Sequence, residues 1–224
     1  MSIILSIETA TTNCSVSLSK EGETFALQED YDNNYSHAER LHVYIEKILQ
    51  DNNVSKSDLV AIAVSKGPGS YTGLRIGVSA AKGLCFALNI PLISVPTLES
   101  LVKQITVSDG IIIPLLDARR MEVYSAIYSS NHNILRSTKA EILNEDIYIE
   151  YLDKFPVYFI GNGVEKAKTI ILHNNAHFIE NKLPSANEMG KIAYTKYKKN
   201  DIEDVAYFEP YYLKDFVALK PKSK

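Results

Sequence analysis

Apolar positions along this chain follow two periods. Residues 2–8 (SIILSIE) form an apolar run ending on an acid, and 13–19 (NCSVSLS) alternate so that Cys14, Val16 and Leu18 share a face, as in a strand. Turn-rich TATTN links them, KEGE makes a second turn, and 24–30 (TFALQED) reads as a third strand. A helical period then takes over. In 36–52, Leu41, Tyr44, Ile45, Ile48 and Leu49 make one stripe, opened by Ser36 and Glu39 as an S-x-x-E capping box. LVAIAVS (59–65) is continuously apolar, as expected of a strand covered on both faces. A glycine loop, a helix over 73–88, a strand at 91–95 and a short helix capped by Thr97 follow.

The second half runs in the same order. It predicts strands at 110–118, 121–129 and 134–142, a helix over 144–154 and a strand at 156–163. Then come a helix over 164–172, a short strand at 176–180 and a helix over 185–199 that Ser185 and Glu188 open as another capping box. The first strand of each half ends on an acid, Glu8 or Asp117, and the fourth enters a Gly-x-Gly, Gly67-Pro68-Gly69 or Gly161-Asn162-Gly163. The pattern therefore predicts an α/β protein of two repeated βββαβαβα halves, 1–105 and 106–224, the second carrying a basic tail.

Composition narrows the function classes. With 46% hydrophobic and 23% charged residues, the 224-residue chain can bury a real core and is not mainly disordered. A net charge of -3 argues against tight stand-alone nucleic-acid binding. Two cysteines, Cys14 and Cys85, make neither a disulfide framework nor a structural zinc site, and both sit in apolar contexts that read as core. The N-terminal apolar run stops at Glu8 without a basic n-region, so a reduced, cytoplasmic compartment is expected.

Candidate chemistry clusters at the turns. In Lys66–Gly77 a strand enters and a helix leaves, so glycines there permit close backbone approach and the helix start offers free N–H groups to an anion. It fits neither Walker A nor G-x-G-x-x-G, because the third glycine falls one residue late at Gly73. Close helix packing through Gly73, Gly77, Ala80, Ala81 and Gly83 is the competing reading. Glu8, Thr9, Gly67, Gly69, Ser70 and Thr72 are the candidate nucleotide or anion contacts. An acid followed by hydroxyls can hold hydrated magnesium and phosphate, or simply be satisfied by turn amides, and Ala10 stands against close phosphate approach.

His37 and His42 are five apart and do not chelate one metal. His173 and His177 have helical i, i+4 spacing, but Asn174-Asn175 ends any helix between them, so no metal site is expected. No nucleophile stands beside a base. Asp117–Glu122 is a charged turn, able to bind an anion or to pair locally. Glu209–Lys214, with Pro210 and two tyrosines, suggests docking of the tail on the body. The lysine-rich end reads as a solvated surface or a weak RNA-facing patch.

ILSIETATTNCSVSL, SHAERL, KGPGSYTGLRIGVSAAKGL, PLISVPTLESL, DARRMEVYSAIY and PYYL together resemble the TsaB family, strongly over 1–130, patchily over 131–200 and again at 209–213. The resemblance implies an actin-like, ribonuclease-H-like fold. It implies a non-catalytic scaffold that dimerises with the catalytic subunit TsaD, works with the ATPase TsaE, and supports formation of N6-threonylcarbamoyladenosine in tRNA. Unlike TsaD, this sequence has no H-x-x-x-H pair after the glycine helix, where it reads LCFALNIPLISV. Glu8 and Ala10 also replace the Asp and Gly of ATP-binding relatives. The resemblance implies no catalytic residue, no metal and no intrinsic cofactor, with ATP or ADP only at the joint with a partner. It implies a homodimer when alone, tRNA reached only through the complex, and no membrane. It places Leu41, Ile45, Leu74, Arg75 and Val78 at or near the partner interface. The alternative is an enzyme acting alone, an actin-like phosphotransferase or a metallopeptidase-like protein.

Overall fold

A computed structural model describes residues 2–30 and 37–214. The first five-stranded sheet contains β1 (Ile3–Glu8), β2 (Cys14–Lys20), β3 (Glu23–Asp30), β4 (Leu59–Gly67) and β5 (Leu92–Pro96) in the order β3-β2-β1-β4-β5. The second contains β6 (Ile111–Asp117), β7 (Glu122–Ser129), β8 (Ile134–Ile142), β9 (Val157–Ile160) and β10 (Ala176–Ile179) in the order β10-β9-β6-β7-β8. In each sheet the opening strand is central, antiparallel to the next strand and parallel to the fourth. The repeated strand order is the actin-like, ribonuclease-H-like α/β architecture.

Local chemistry explains the turns. Glu21 and Gly22 both take positive φ in the KEGE turn between β2 and β3, a geometry that Gly22 eases. Helix α1 (His37–Asp51) follows the predicted stripe, while the Ser36 half of its capping box lies outside the described residues. Helix α2 (Tyr71–Leu88) begins two residues earlier than predicted, because the Ser70 hydroxyl caps it by accepting from the Gly73 amide. Helix α3 (Thr97–Val102) is short.

The second half is less helical than its periodicity predicts. Helices α4 (Ile149–Leu152) and α5 (Val164–Ala167) are single turns. Beyond α5, Thr169, Ile170 and Ile171 are β-branched and lose side-chain freedom in a helix, and the backbone tightens into three-residue turns such as Ile170 N to Ala167 O. Helix α6 (Met189–Lys198) follows a 3₁₀ turn at 186–188. The predicted box at its start is not formed: Ser185 accepts from the Asn187 amide, and the Glu188 carboxylate accepts from the Asn187 side chain.

The halves exchange their last helices. One face of the first sheet packs Leu5, Ile7, Val16, Ile62 and Val64 against α1 and α2. Its other face packs Ile4, Ala61, Ala63, Ile93 and Val95 against Met189, Ile192 and Ala193 of α6, from the far end of the chain. Conversely, Leu98, Leu101 and Val102 of α3 lie on Ile112, Leu116, Ala126 and Tyr128 of the second sheet. The division near residue 105 separates the two sheets but not their helical cover.

Candidate functional site

Two places follow from this frame: the ends of β1 and β4 at the glycine loop, and the outer face of α1 and α2. At the first, Glu8 ends β1 fully buried. Its Oε1 accepts from the Ala10 amide at 2.6 Å, while Oε2 is buried without a hydrogen-bond partner. Burial pushes this carboxyl up to about 7, partly opposed by the Ala10 amide, the Ser65 hydroxyl and the Thr9 amide. Thr97 Oγ1 accepts from the Gly67 amide at 3.1 Å and shares a hydrogen bond of 2.6 Å with Ser65 Oγ, beside Glu8.

Of the six candidate anion contacts, Thr9, Gly67 and Ser70 have groups engaged inside the chain, whereas Thr72 is exposed on the outer side of α2. Ser70 N donates to Ala10 O at 2.7 Å, and Thr9 Oγ1 donates to Gly73 O at 2.8 Å. A Cβ at Gly73 would stand 2.1 Å from Thr9 O, and one at Gly69 2.5 Å from Ala10 O. Residues 9–11 therefore fill the space before the glycine loop, and His37 Nε2 donates to Thr11 O at 2.7 Å behind them. Burial holds His37 below the usual histidine range, partly opposed by its bond to the Thr11 carbonyl. The Ala10 methyl and the Ala10 and Thr9 carbonyls thus stand directly against Gly69 and Gly73 of the glycine loop. The glycines let a hairpin, rather than another helix, approach α2.

Of the five residues expected at a partner interface, Leu41, Ile45, Leu74 and Val78 are at most 4% exposed. Leu41, Ile45 and Val78 pack in the core on the chain's own first sheet, and Leu74 lies beside Gly67. Gly77 and Ala81 likewise face inward. Arg75 alone of the five lies outside. The outward face is a shallow groove of about 710 Å³ between the helices, with Ala38 and His42 on α1 and Thr72, Arg75, Ile76, Ser79 and Gly83 on α2. A Cβ at Gly83 would meet nothing within 4 Å. The missed signal was the set of small and polar positions at helical spacing, 72, 75, 79 and 83, rather than the apolar set.

Other candidates resolve simply. Cys14 and Cys85 are buried, and burial pushes their thiols up to about 11 and about 12. His173 lies in a loop 3.6 Å from Asp153, and His177 on β10 stacks on Tyr158. Asp117 pairs with Lys166 of α5 at 3.0 Å, so the charged turn finds its partner on a helix rather than within itself. The tail tyrosines dock on the body, Tyr211 N donating to Lys66 O at 2.7 Å. Among the described residues no three His, Cys, Asp or Glu side chains gather into a metal-ligand cluster, and no helix is long and apolar enough to cross a membrane.

Fold and site together define an actin-like α/β protein whose first hairpin packs against its glycine loop. A family model described as "TsaD: tRNA N6-adenosine threonylcarbamoyltransferase" matches residues 32–222. The tRNA threonylcarbamoyladenosine biosynthesis protein TsaB of Bacillus subtilis (strain 168) is 34% identical over 172 residues, covering 75% of this chain and 74% of that protein. The protein of the same name from Escherichia coli (strain K12) is 31% identical over 229 residues, covering 97% and 96%. A crystal structure described as an uncharacterized protein with similarity to peptidase YEAZ from Pseudomonas aeruginosa superposes with a TM-score of 0.84 at 25% identity, covering 96% of this chain and 100% of that one. The chain belongs to the TsaB family.

Proposed function

We propose that this chain acts in the formation of N6-threonylcarbamoyladenosine in tRNA as a non-catalytic scaffold. It docks a TsaD-type catalytic subunit through the groove between α1 and α2 and works beside a TsaE-type ATPase. The names of its relatives support the pathway. The observation that supports the scaffold role is the packing of residues 9 and 10 on the glycine loop beside the buried Glu8, which favours a structural use of this hairpin. Gly83 supports the docking face. A glycine inside an exposed helix costs about 1 kcal/mol relative to alanine, and nothing in this chain needs the missing methyl.

Alone, the chain uses the same face to pair with a second copy. A nucleotide, ATP or ADP, belongs to the joint with a partner, and tRNA is reached through that partner in the cytoplasm. The test is reconstitution of the modification on unmodified tRNA from the same organism's TsaD and TsaE subunits, with and without this chain. Equal product without it would sink the proposal. Turnover of ATP or a peptide by the purified chain alone would favour the stand-alone enzyme.

A further inference from the structure

The chain beyond α6 runs as a strap over the first sheet and α2. Glu203 N donates to Leu92 O at 2.8 Å on the edge of β5, and the Ser94 hydroxyl donates to the Glu203 carboxylate. Lys82 of α2 then donates to the carbonyls of Ala206 and Phe208 at 3.1 and 3.0 Å. Tyr211 O packs where Gly67, at φ +107°, lacks a side chain; a Cβ there would lie 2.8 Å away. Finally, Lys214 pairs with Glu122 at the start of β7, carrying the strap to the second sheet.

Between these anchors the strap touches the groove. The Tyr212 ring lies 5.0 Å from the Tyr71 ring. On Tyr71 sits Arg75, its guanidinium 5.3 Å from the ring centroid and Nη1 donating to the phenol oxygen at 3.0 Å. Tyr71 and Arg75 are also the polar mouth of the groove. Among the described residues Arg75 has no acid partner, so its charge is available to a carboxylate arriving from outside. An arginine on an exposed helix samples many rotamers, and freezing it at docking costs about 0.5–1.5 kcal/mol. A ring stack that holds it beforehand removes part of that cost.

We infer that Tyr212 is a positioning residue for partner docking: through Tyr71 it fixes Arg75 at the mouth of the groove, aimed at a carboxylate on the TsaD-type subunit. The inference rests on the reading of the groove as the partner surface. The strap thus belongs to the docking site although it lies far from α2 in sequence.

The test measures affinity for the same organism's TsaD subunit by calorimetry, with the melting point of each variant taken alone. Tyr212→Ala is expected to weaken binding about tenfold. Tyr212→Phe, which keeps the ring, is expected to bind as the parent does. Arg75→Ala with Tyr212→Ala is expected to bind no more weakly than Arg75→Ala, because Tyr212 acts through Arg75; additive losses would overturn the positioning role. Parental affinity in Tyr212→Ala would also overturn it. Should that variant not fold, Tyr212→Leu decides, since it fills similar volume without an aromatic face: weakened binding supports the inference and parental affinity refutes it. Ser79→Arg, in the middle of the groove, separates the two ideas. If it leaves affinity unchanged, the groove is not the partner surface. If it abolishes binding while the Tyr212 variants do not weaken it, only the strap inference fails.

Discussion

Glu8 makes the stability of this protein depend on pH in a direction opposite to that of a salt-bridged acid. Its carboxyl titrates at about 7 in the folded chain, against 4.5 when unfolded. Between those values the folded chain holds a proton that the unfolded chain has released. Stability is therefore complete below 4.5, falls as pH rises, and levels off above about 7. At about 1.4 kcal/mol per tenfold in proton affinity, the displacement amounts to roughly 3 kcal/mol. Glu8→Gln keeps the oxygen that accepts from Ala10 and cannot ionise. Urea titrations of both proteins from pH 5.5 to 8.5 are the assay. The parent is expected to lose roughly 2 kcal/mol more than the variant over that range, the remainder having gone between pH 4.5 and 5.5. Other titrating groups, among them Glu188, which burial also pushes up, are shared by both chains and cancel in the difference. Parallel profiles would show that Glu8 is solvated or paired in solution, and its burial beside the glycine loop would have to be abandoned.

Further substitutions probe other parts of the argument. Leu41→Ala, at a fully buried position, is expected to cost about 2–5 kcal/mol in urea unfolding, as a core residue does and a docking residue does not. Gly73→Ala forces the hairpin off α2 and is expected to lose about 1–3 kcal/mol by the same measurement. Gly83→Ala is expected to raise stability by about 0.5–1 kcal/mol on thermal melting. In contrast, Gly83→Leu leaves the melt intact and weakens sedimentation of the complex with TsaD.

The strand order was legible because burial writes itself into composition. Runs such as LVAIAVS and the alternation of NCSVSLS mark strands, and the same sequence of elements occurs twice. Three things were not legible. Nothing local in α3 or α6 says which sheet it will cover, since an apolar stripe names no partner. Leu41, Ile45, Leu74 and Val78 were hydrophobic because the first sheet needs them, and hydrophobicity does not separate packing within a chain from packing between chains. The strap was legible only as two tyrosines after a proline. Its contact with Tyr71 joins residues 141 positions apart, a separation that no short window contains.

The exchange of final helices bears on how the chain is made. As it leaves the ribosome, β1, β4 and β5 emerge with Ile4, Ala61 and Ile93 bare, and their cover is not translated until residues 189–193. The amino-terminal part must therefore wait, exposed and sticky, for nearly the whole polypeptide. Lower solubility of a fragment ending before α6 than of the full chain is the outcome this topology predicts, checked by expressing both side by side.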